Sequence, residues 1–215
     1  MTSAGFFKRF LAFIIDMIII SIISTIIYSS LNAIFNFKTT ITESYTKSVE
    51  QTINKINEID RDNPKDEDLD EAYGMISELS KLSRDNYKDI TIEGVPNSLI
   101  TFVINVLYFV VLVFYLGGHT LGKKLLNIRV VKENGSPVTI NTLLIRGIII
   151  YSLYSTVINL LFVFILNNES FFKLHSILSG ISFIILFISG IMVIFNNDKR
   201  GLHDLISKTK VVIDE

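Results

Sequence analysis

The chain has 215 residues, 49% of them hydrophobic, a mean hydropathy of +0.48 and a formal net charge of −1. It contains no cysteine, which excludes disulfides, thiolate metal sites, c-type haem attachment and cysteine nucleophiles. Four mostly apolar runs of membrane-spanning length argue against an ordinary soluble domain.

The first run, Phe10 to Ile34, opens after Lys8 and Arg9 and carries an internal carboxylate, Asp16. It is longer than the apolar core of a secretory signal, so a retained span is expected rather than a cleaved leader. The other runs are Ser98 to Leu116, Thr142 to Leu166 and Ser176 to Phe195. About 20 residues at about 1.5 Å each match the roughly 30 Å of bilayer hydrocarbon.

Between the first two runs lies a polar segment, Asn36 to Asn97, with fourteen acids against eight basic residues. Val49, Ile53 and Ile56, then Leu69, Tyr73, Ile76 and Leu79, recur at helical spacing around "DNPKDED", which reads as a turn. A helical hairpin is expected. The acids Asp66, Glu67, Asp68, Asp70 and Glu71 do not have calcium-loop spacing and read as a solvated helix start.

The short connections are basic on one side. Lys8 and Arg9 precede the first run, Lys123, Lys124, Arg129 and Lys132 follow the second, and Lys199, Arg200, Lys208 and Lys210 follow the fourth. The positive-inside rule then puts both termini in the cytoplasm and the acidic segment outside. In the middle connection, "GGHTLGKKLLNIRVV" leads from a helical turn into a strand, "ENGSP" makes a turn, and "VTI" is the expected returning strand, with a third from "KTKVVI" in the tail. Lys123 and Lys124 are expected among lipid headgroups. The sequence therefore predicts an all-α integral membrane protein with four transmembrane helices, a small cytoplasmic β-ribbon and an extracytoplasmic helical hairpin insertion. Its divisions are 1–35, 36–97 and 98–215.

Three blocks, "KRFLAFIIDMII", "GGHTLGKKLLNIRVV" and "NDKRGLHDLISKTKVV", occur in the order in which the RDD family carries them, and the chain resembles that family. The resemblance identifies Arg9, Asp16 and Asp204 as the arginine and two aspartates for which the family is named, and leaves the segment from Asn36 to Asn97 as an insertion. It implies a multi-pass cell-membrane protein, with transport of an unidentified ligand suggested and some members similar to sodium/proton antiporters.

Arg9 and Asp16, seven residues apart, share a helix face about 10.5 Å apart along the axis. An isolated carboxylate inside a span costs about 2.5–3.5 kcal/mol on insertion scales, so Asp16 needs a partner. Arg146, entering the third run from the same side, is the expected one. The pair is either a fixed packing contact or a proton- or cation-exchanging site. Asp204, at the boundary, is expected to reach Arg9 or the basic middle connection and, with Arg9 and His203, to form a gate or brace. Asn105 and Asn159 are the span residues expected to line a polar pathway. His119, His175 and His203 lie too far apart to share a metal.

No HExxH, GxSxG, Ser/Lys or paired-Asp arrangement is present, so no enzyme, metal or cofactor is expected. The expected partners are the lipid bilayer, monovalent cations and protons if the chain exchanges them, and a second copy, since four spans make a small transporter. No nucleic acid is expected. The alternative is a non-catalytic accessory protein that binds an envelope or membrane partner through its outer segment.

Overall fold

A computed structural model describes residues 2–58 and 66–214. The chain is mostly helical. α1 (Phe6–Phe35), the continuous helical segment Val95–Tyr115 and α10 (Asn168–Phe195) are each long and apolar enough to cross a membrane. Their outward faces carry exposed Phe, Ile and Leu side chains such as Ile22, Ile26, Phe183 and Phe195. Such a surface is insoluble in water and ordinary in lipid.

The segment Val95–Tyr115 is built from α5 (Val95–Val106), a π-helical turn (Leu107–Leu112) and α6 (Val113–Tyr115). The wider turn buries three consecutive side chains, Tyr108, Phe109 and Val110, which a regular helix would spread around its circumference.

The third apolar run is not one helix. α8 (Ile140–Ile150) and α9 (Leu153–Phe162) meet at a bend of 70°. The break falls at Tyr151 and Ser152, the latter left-handed at φ 49°. That conformation is uncommon for a residue with a Cβ. The Tyr151 ring stacks on Phe109, with centroids 3.5 Å apart, and on Phe13 at 6.3 Å. This wedge of rings occupies the corner around which the chain turns.

Connectivity settles which ends lie together. α8 begins at the end of the molecule that holds Asp204 and Thr209. α9 leads to Leu166, whose carbonyl accepts from Lys88 Nζ at 2.6 Å at the opposite end.

At the first end a short helix, α7 (Leu121–Leu125), leads into β1 (Ile128–Lys132), and another, α11 (Leu202–Ile206), leads into β2 (Thr209–Ile213). Each unit repeats the same design. A helical turn is followed by a left-handed residue, Asn127 or Lys208, and then by a strand. The strands pair antiparallel, with Val130 opposite Val211. The expected returning strand at "VTI" does not form. Pro137, just before it, has no N–H for a ladder, and Val138 is buried in the core instead. The third segment on the sheet is the amino terminus: Ser3 bridges Val212, and Ala4 N–H donates to the Val211 carbonyl at 2.9 Å. The Gly117–Gly118 loop covers the far edge of β1, with Val130 N–H donating to Gly118 O at 2.9 Å. Gly118 has φ 99°, and a Cβ there would collide with the Val130 carbonyl.

At the other end, α2 (Thr40–Glu58) and α3 (Asp66–Asp85) form the expected hairpin pair; the "DNPK" part of its turn lies outside the described residues. Asp66, Glu67 and Asp68 occupy the first turn of α3, as favoured at a helix start. Val49, Ile56 and Leu79 are half-buried, whereas Ile53, Leu69, Tyr73 and Ile76 are exposed. α4 (Tyr87–Glu93) joins the hairpin to the rest. Glu93 reaches back to accept from the N–H groups of Ile41 and Thr42, at 3.0 and 2.9 Å, and from the Thr42 hydroxyl at 2.8 Å. It thereby caps α2 from fifty residues away in sequence.

Candidate functional site

Asp16 is 1% exposed. Its Oδ1 accepts from the Tyr108 hydroxyl at 2.7 Å and from Gly122 N–H at 2.8 Å, and its Oδ2 from the Thr120 hydroxyl at 2.6 Å. The Tyr108 oxygen in turn accepts from Leu121 N–H at 3.2 Å, and Thr120 Oγ1 from Lys123 N–H at 3.0 Å. The first N–H groups of α7, orphaned at any helix start, are therefore all answered within one network. A carboxylate is the acceptor best matched to that end of a helix. Gly122 permits the approach, because a Cβ would run into the Ala12 carbonyl and stand 2.8 Å from Asp16 Oδ1.

Asp204 is fully buried and is the centre of a second network. Arg9 Nη1 donates to its Oδ2 at 2.7 Å, and Arg146 Nη1 donates to its Oδ1. Gly201 N–H adds a bond at 3.1 Å and the Thr209 hydroxyl one at 3.4 Å. Arg9 also donates to the carbonyls of Ala4 and Val211, at 2.9 and 3.3 Å, and Arg146 to Thr209 Oγ1 at 2.9 Å. α1, α8, the amino terminus and the tail strand are thus tied to one carboxylate. Burial alone would raise the Asp204 carboxyl; the charges of Arg146 and Arg9 outweigh it and hold the carboxyl well below its usual range.

The expected contact between Asp16 and Arg146 is not made. Each has a nearer partner, and Asp16 takes neutral donors while Asp204 takes both arginines. The expected contact between Arg9 and Asp204 is present. His203 sits beside it, bonded through Nδ1 to Ser189 Oγ at 2.6 Å, with Nε2 3.6 Å from Asp204 Oδ2. Burial first, then the Arg146 charge, push its pKa down to about 3, so at neutral pH it is an uncharged packing partner.

Asn105 and Asn159 are not brought to this end. Asn105 donates to the Thr101 carbonyl of its own helix at 2.9 Å. Asn159 lies with Ser155 and His175, each at 3.3 Å. His119 bonds Asp214 at 2.7 Å. Among the described residues no three His, Asp or Glu side chains are grouped so as to hold a metal.

Beside the two networks lies a cavity of about 390 Å³ between the start of α1 and the end of α10. Its walls are mostly apolar. Arg9, Asp16, Lys123, Arg146 and His203 border it, and Ile150 and Tyr151 bring the break of the third run to its wall. Lys124 is exposed, as a headgroup contact requires, but Lys123 is only 9% exposed and faces this cavity instead. Burial foremost, then the Arg146 charge, lower its pKa to about 8.

The RDD family model matches residues 3–208. The chain belongs to the RDD family. A relative from Bacillus subtilis (strain 168), the uncharacterized protein YxaI, is 32% identical over 209 residues, which is 97% of this chain and 96% of its own. That match takes in the α2–α3 hairpin segment as well as the three motif blocks. No solved structure matches this RDD family chain. The residues that name the family therefore have distinct structural positions here. Arg9 and Asp204 join the two ends of the chain, and Asp16 anchors the α7 turn.

Several participants escape a reading of the sequence. Tyr108 is one tyrosine in an apolar run, 92 residues from Asp16. Thr120 has the one available signal, a helix-capping type directly before "LGKKL". Arg200 reads as a boundary cation, yet it is buried, bonding the Thr209 carbonyl at 3.0 Å and Glu133 at 2.7 Å.

Proposed function

We propose that this RDD family chain is a non-catalytic, multi-pass protein of the cell membrane that handles a small ligand in the cavity between α1 and α10, in the manner of a transporter. Four crossings are supported by connectivity, since α8 and α9 together lead from the sheet end to the hairpin end. A cytoplasmic placement of both termini is supported by the Lys and Arg residues gathered around the sheet.

The observation that carries the ligand-handling reading is the break between α8 and α9 at the cavity wall. Irregular backbone at membrane depth is tolerated where it lines a cavity, and transporters build their binding sites around such discontinuous helices. With four crossings, a homodimer is the expected working unit. Exchange of monovalent cations for protons at Asp16 has less support. A carboxylate offers about four acceptor positions, and three on Asp16 are filled by donors fixed in the fold. A second reading, an accessory protein that recruits a partner from outside, is favoured by the exposed apolar stripe on the hairpin, where Tyr73 is 70% exposed.

Single cysteines at Ser77 and Ser136, in a chain with none of its own, test the orientation. An impermeant thiol reagent labels Ser77→Cys in intact cells and misses Ser136→Cys; the reverse pattern refutes it. In proteoliposomes with a pH-sensitive dye, sodium, lithium and potassium evoke no proton flux that Asp16→Asn removes. A flux of that kind returns Asp16 to the centre of the mechanism.

A further inference from the structure

Three cations and two carboxylates meet around the cavity. Arg9 and Arg146 spend their bonds on Asp204, and the Asp16 oxygens are turned to Tyr108, Thr120 and Gly122. The remaining cation, Lys123, is more than nine-tenths buried and borders the cavity. Its ammonium makes no hydrogen bond or ion pair with any described residue. A buried charge without a partner is costly, so this arrangement is complementary to one negative charge from outside the chain.

The rest of the cavity says what carries that charge. Phe6, Phe10, Phe13, Leu186, Phe187 and Ile191 make its long walls. Phe10 is 48% exposed and Phe187 59%, so the mouth opens sideways between α1 and α10, where a bilayer presents acyl chains. Its volume falls within the roughly 300–1,000 Å³ of small-molecule sites. A free inorganic anion would match Lys123 and leave the apolar walls uncovered.

We infer that the cavity is a site for an anionic phospholipid, with the headgroup phosphate against Lys123 and one acyl chain along Phe10, Phe13 and Phe187. The inference rests on the proposal that this cavity holds the ligand, and it names the ligand's chemical class. It gives Lys123 a role that none of Arg9, Asp16 and Asp204 has: those three hold the frame, and Lys123 reads the charge of what enters.

The test uses the full-length chain in nanodiscs of equimolar phosphatidylglycerol and phosphatidylcholine, with native mass spectrometry counting the lipids that stay bound. Phosphatidylglycerol is retained over phosphatidylcholine by about fivefold, the ratio that one cation supports at an anionic headgroup. Lys123→Met removes the preference and Lys123→Arg keeps it. Gly190→Leu guards against a folding defect in the first variant. Gly190 borders the cavity, and a Cβ there meets only Phe6 at an ordinary 3.7 Å, so the added side chain fills the space and displaces the lipid. Equal retention of both lipids, or a preference that survives both Lys123→Met and Gly190→Leu, overturns the inference. So does competition by inorganic phosphate alone, which would make the ligand a free anion and leave the cavity a ligand site. Nanodiscs expose both leaflets, so the result is independent of the thiol-labelling test of orientation.

Discussion

Replacing Asp16 tests what a carboxylate is for in the middle of an apolar helix. Asp16→Leu keeps the branched outline of the side chain, at a larger volume, but removes the acceptor for Tyr108 Oη, Thr120 Oγ1 and Gly122 N–H. Each is shielded from water, and a buried donor left without an acceptor costs about 1–3 kcal/mol. Relief from burying the charge offsets part of this, so a net loss of about 3 kcal/mol is expected. Asp16→Asn retains an oxygen for two of the donors and loses only the charge-assisted share, about 1–2 kcal/mol. Reversible unfolding in detergent, followed by helical circular dichroism, reads both. Hydrogen exchange localises the effect, and the Gly122 and Lys123 amides should lose protection before those of α10. Loss of less than about 1 kcal/mol in Asp16→Leu, with α7 still protected, refutes the capping role.

Three further outcomes follow from the same geometry. Gly122→Ala pushes a methyl group into the Ala12 carbonyl and should cost about 1–3 kcal/mol in detergent stability, the usual range for overpacking; no measurable change would mean that α7 does not sit against α1. Glu93→Ala leaves the Ile41 and Thr42 amides uncapped and should speed proteolysis within α2 while the spans stay intact; unchanged cleavage would show the cap to be idle. His203 has a folded pKa of about 3 against an ordinary 6.5, so its contribution is fully present above pH 6.5 and is lost as pH falls toward 3. The groups around it are Arg146, Arg9, Lys123 and Asp204, and the slope reaches up to about 1.4 kcal/mol per pH unit. A His203→Gln chain should show a flatter acid limb, and a wild-type stability that is level from pH 6.5 to about 4 contradicts the assignment.

The spans were legible because hydropathy over about 20 residues is a strong signal in a bilayer. Arg9 meeting Asp204 was legible too, because both had to lie at one membrane face and both match the family blocks. The break in the third run was not. "GIIIYSLYS" has no proline, and its glycine, Gly147, lies before the bend; the corner is made by rings from α1 and the π-helical turn packing on Tyr151. The partners of Asp16 are hidden in the sequence for a related reason. Depth along a helix says which residues share a level, not which way they face. The donors that reach Asp16 come from a π-helical turn and from the threonine and glycine at the start of α7, about a hundred residues away. In the sheet, Pro137 was the available warning that "VTI" would not pair, and the unexpected participant, the Ser3 segment, has no strand pattern of its own.

Asp204, not Asp16, holds Arg9 and Arg146 and so joins α1 and α8 to the tail. The most direct measurement is a pair of double-mutant cycles in detergent, Arg146→Met with Asp204→Leu and Arg146→Met with Asp16→Leu. Breaking a buried pair from one side costs about 3–5 kcal/mol, whereas removing both partners approaches neutrality. The geometry predicts a coupling of at least about 2 kcal/mol between Arg146 and Asp204 and less than about 0.5 kcal/mol between Arg146 and Asp16. The opposite order, with Arg146 coupled to Asp16 and additive with Asp204, would contradict the account.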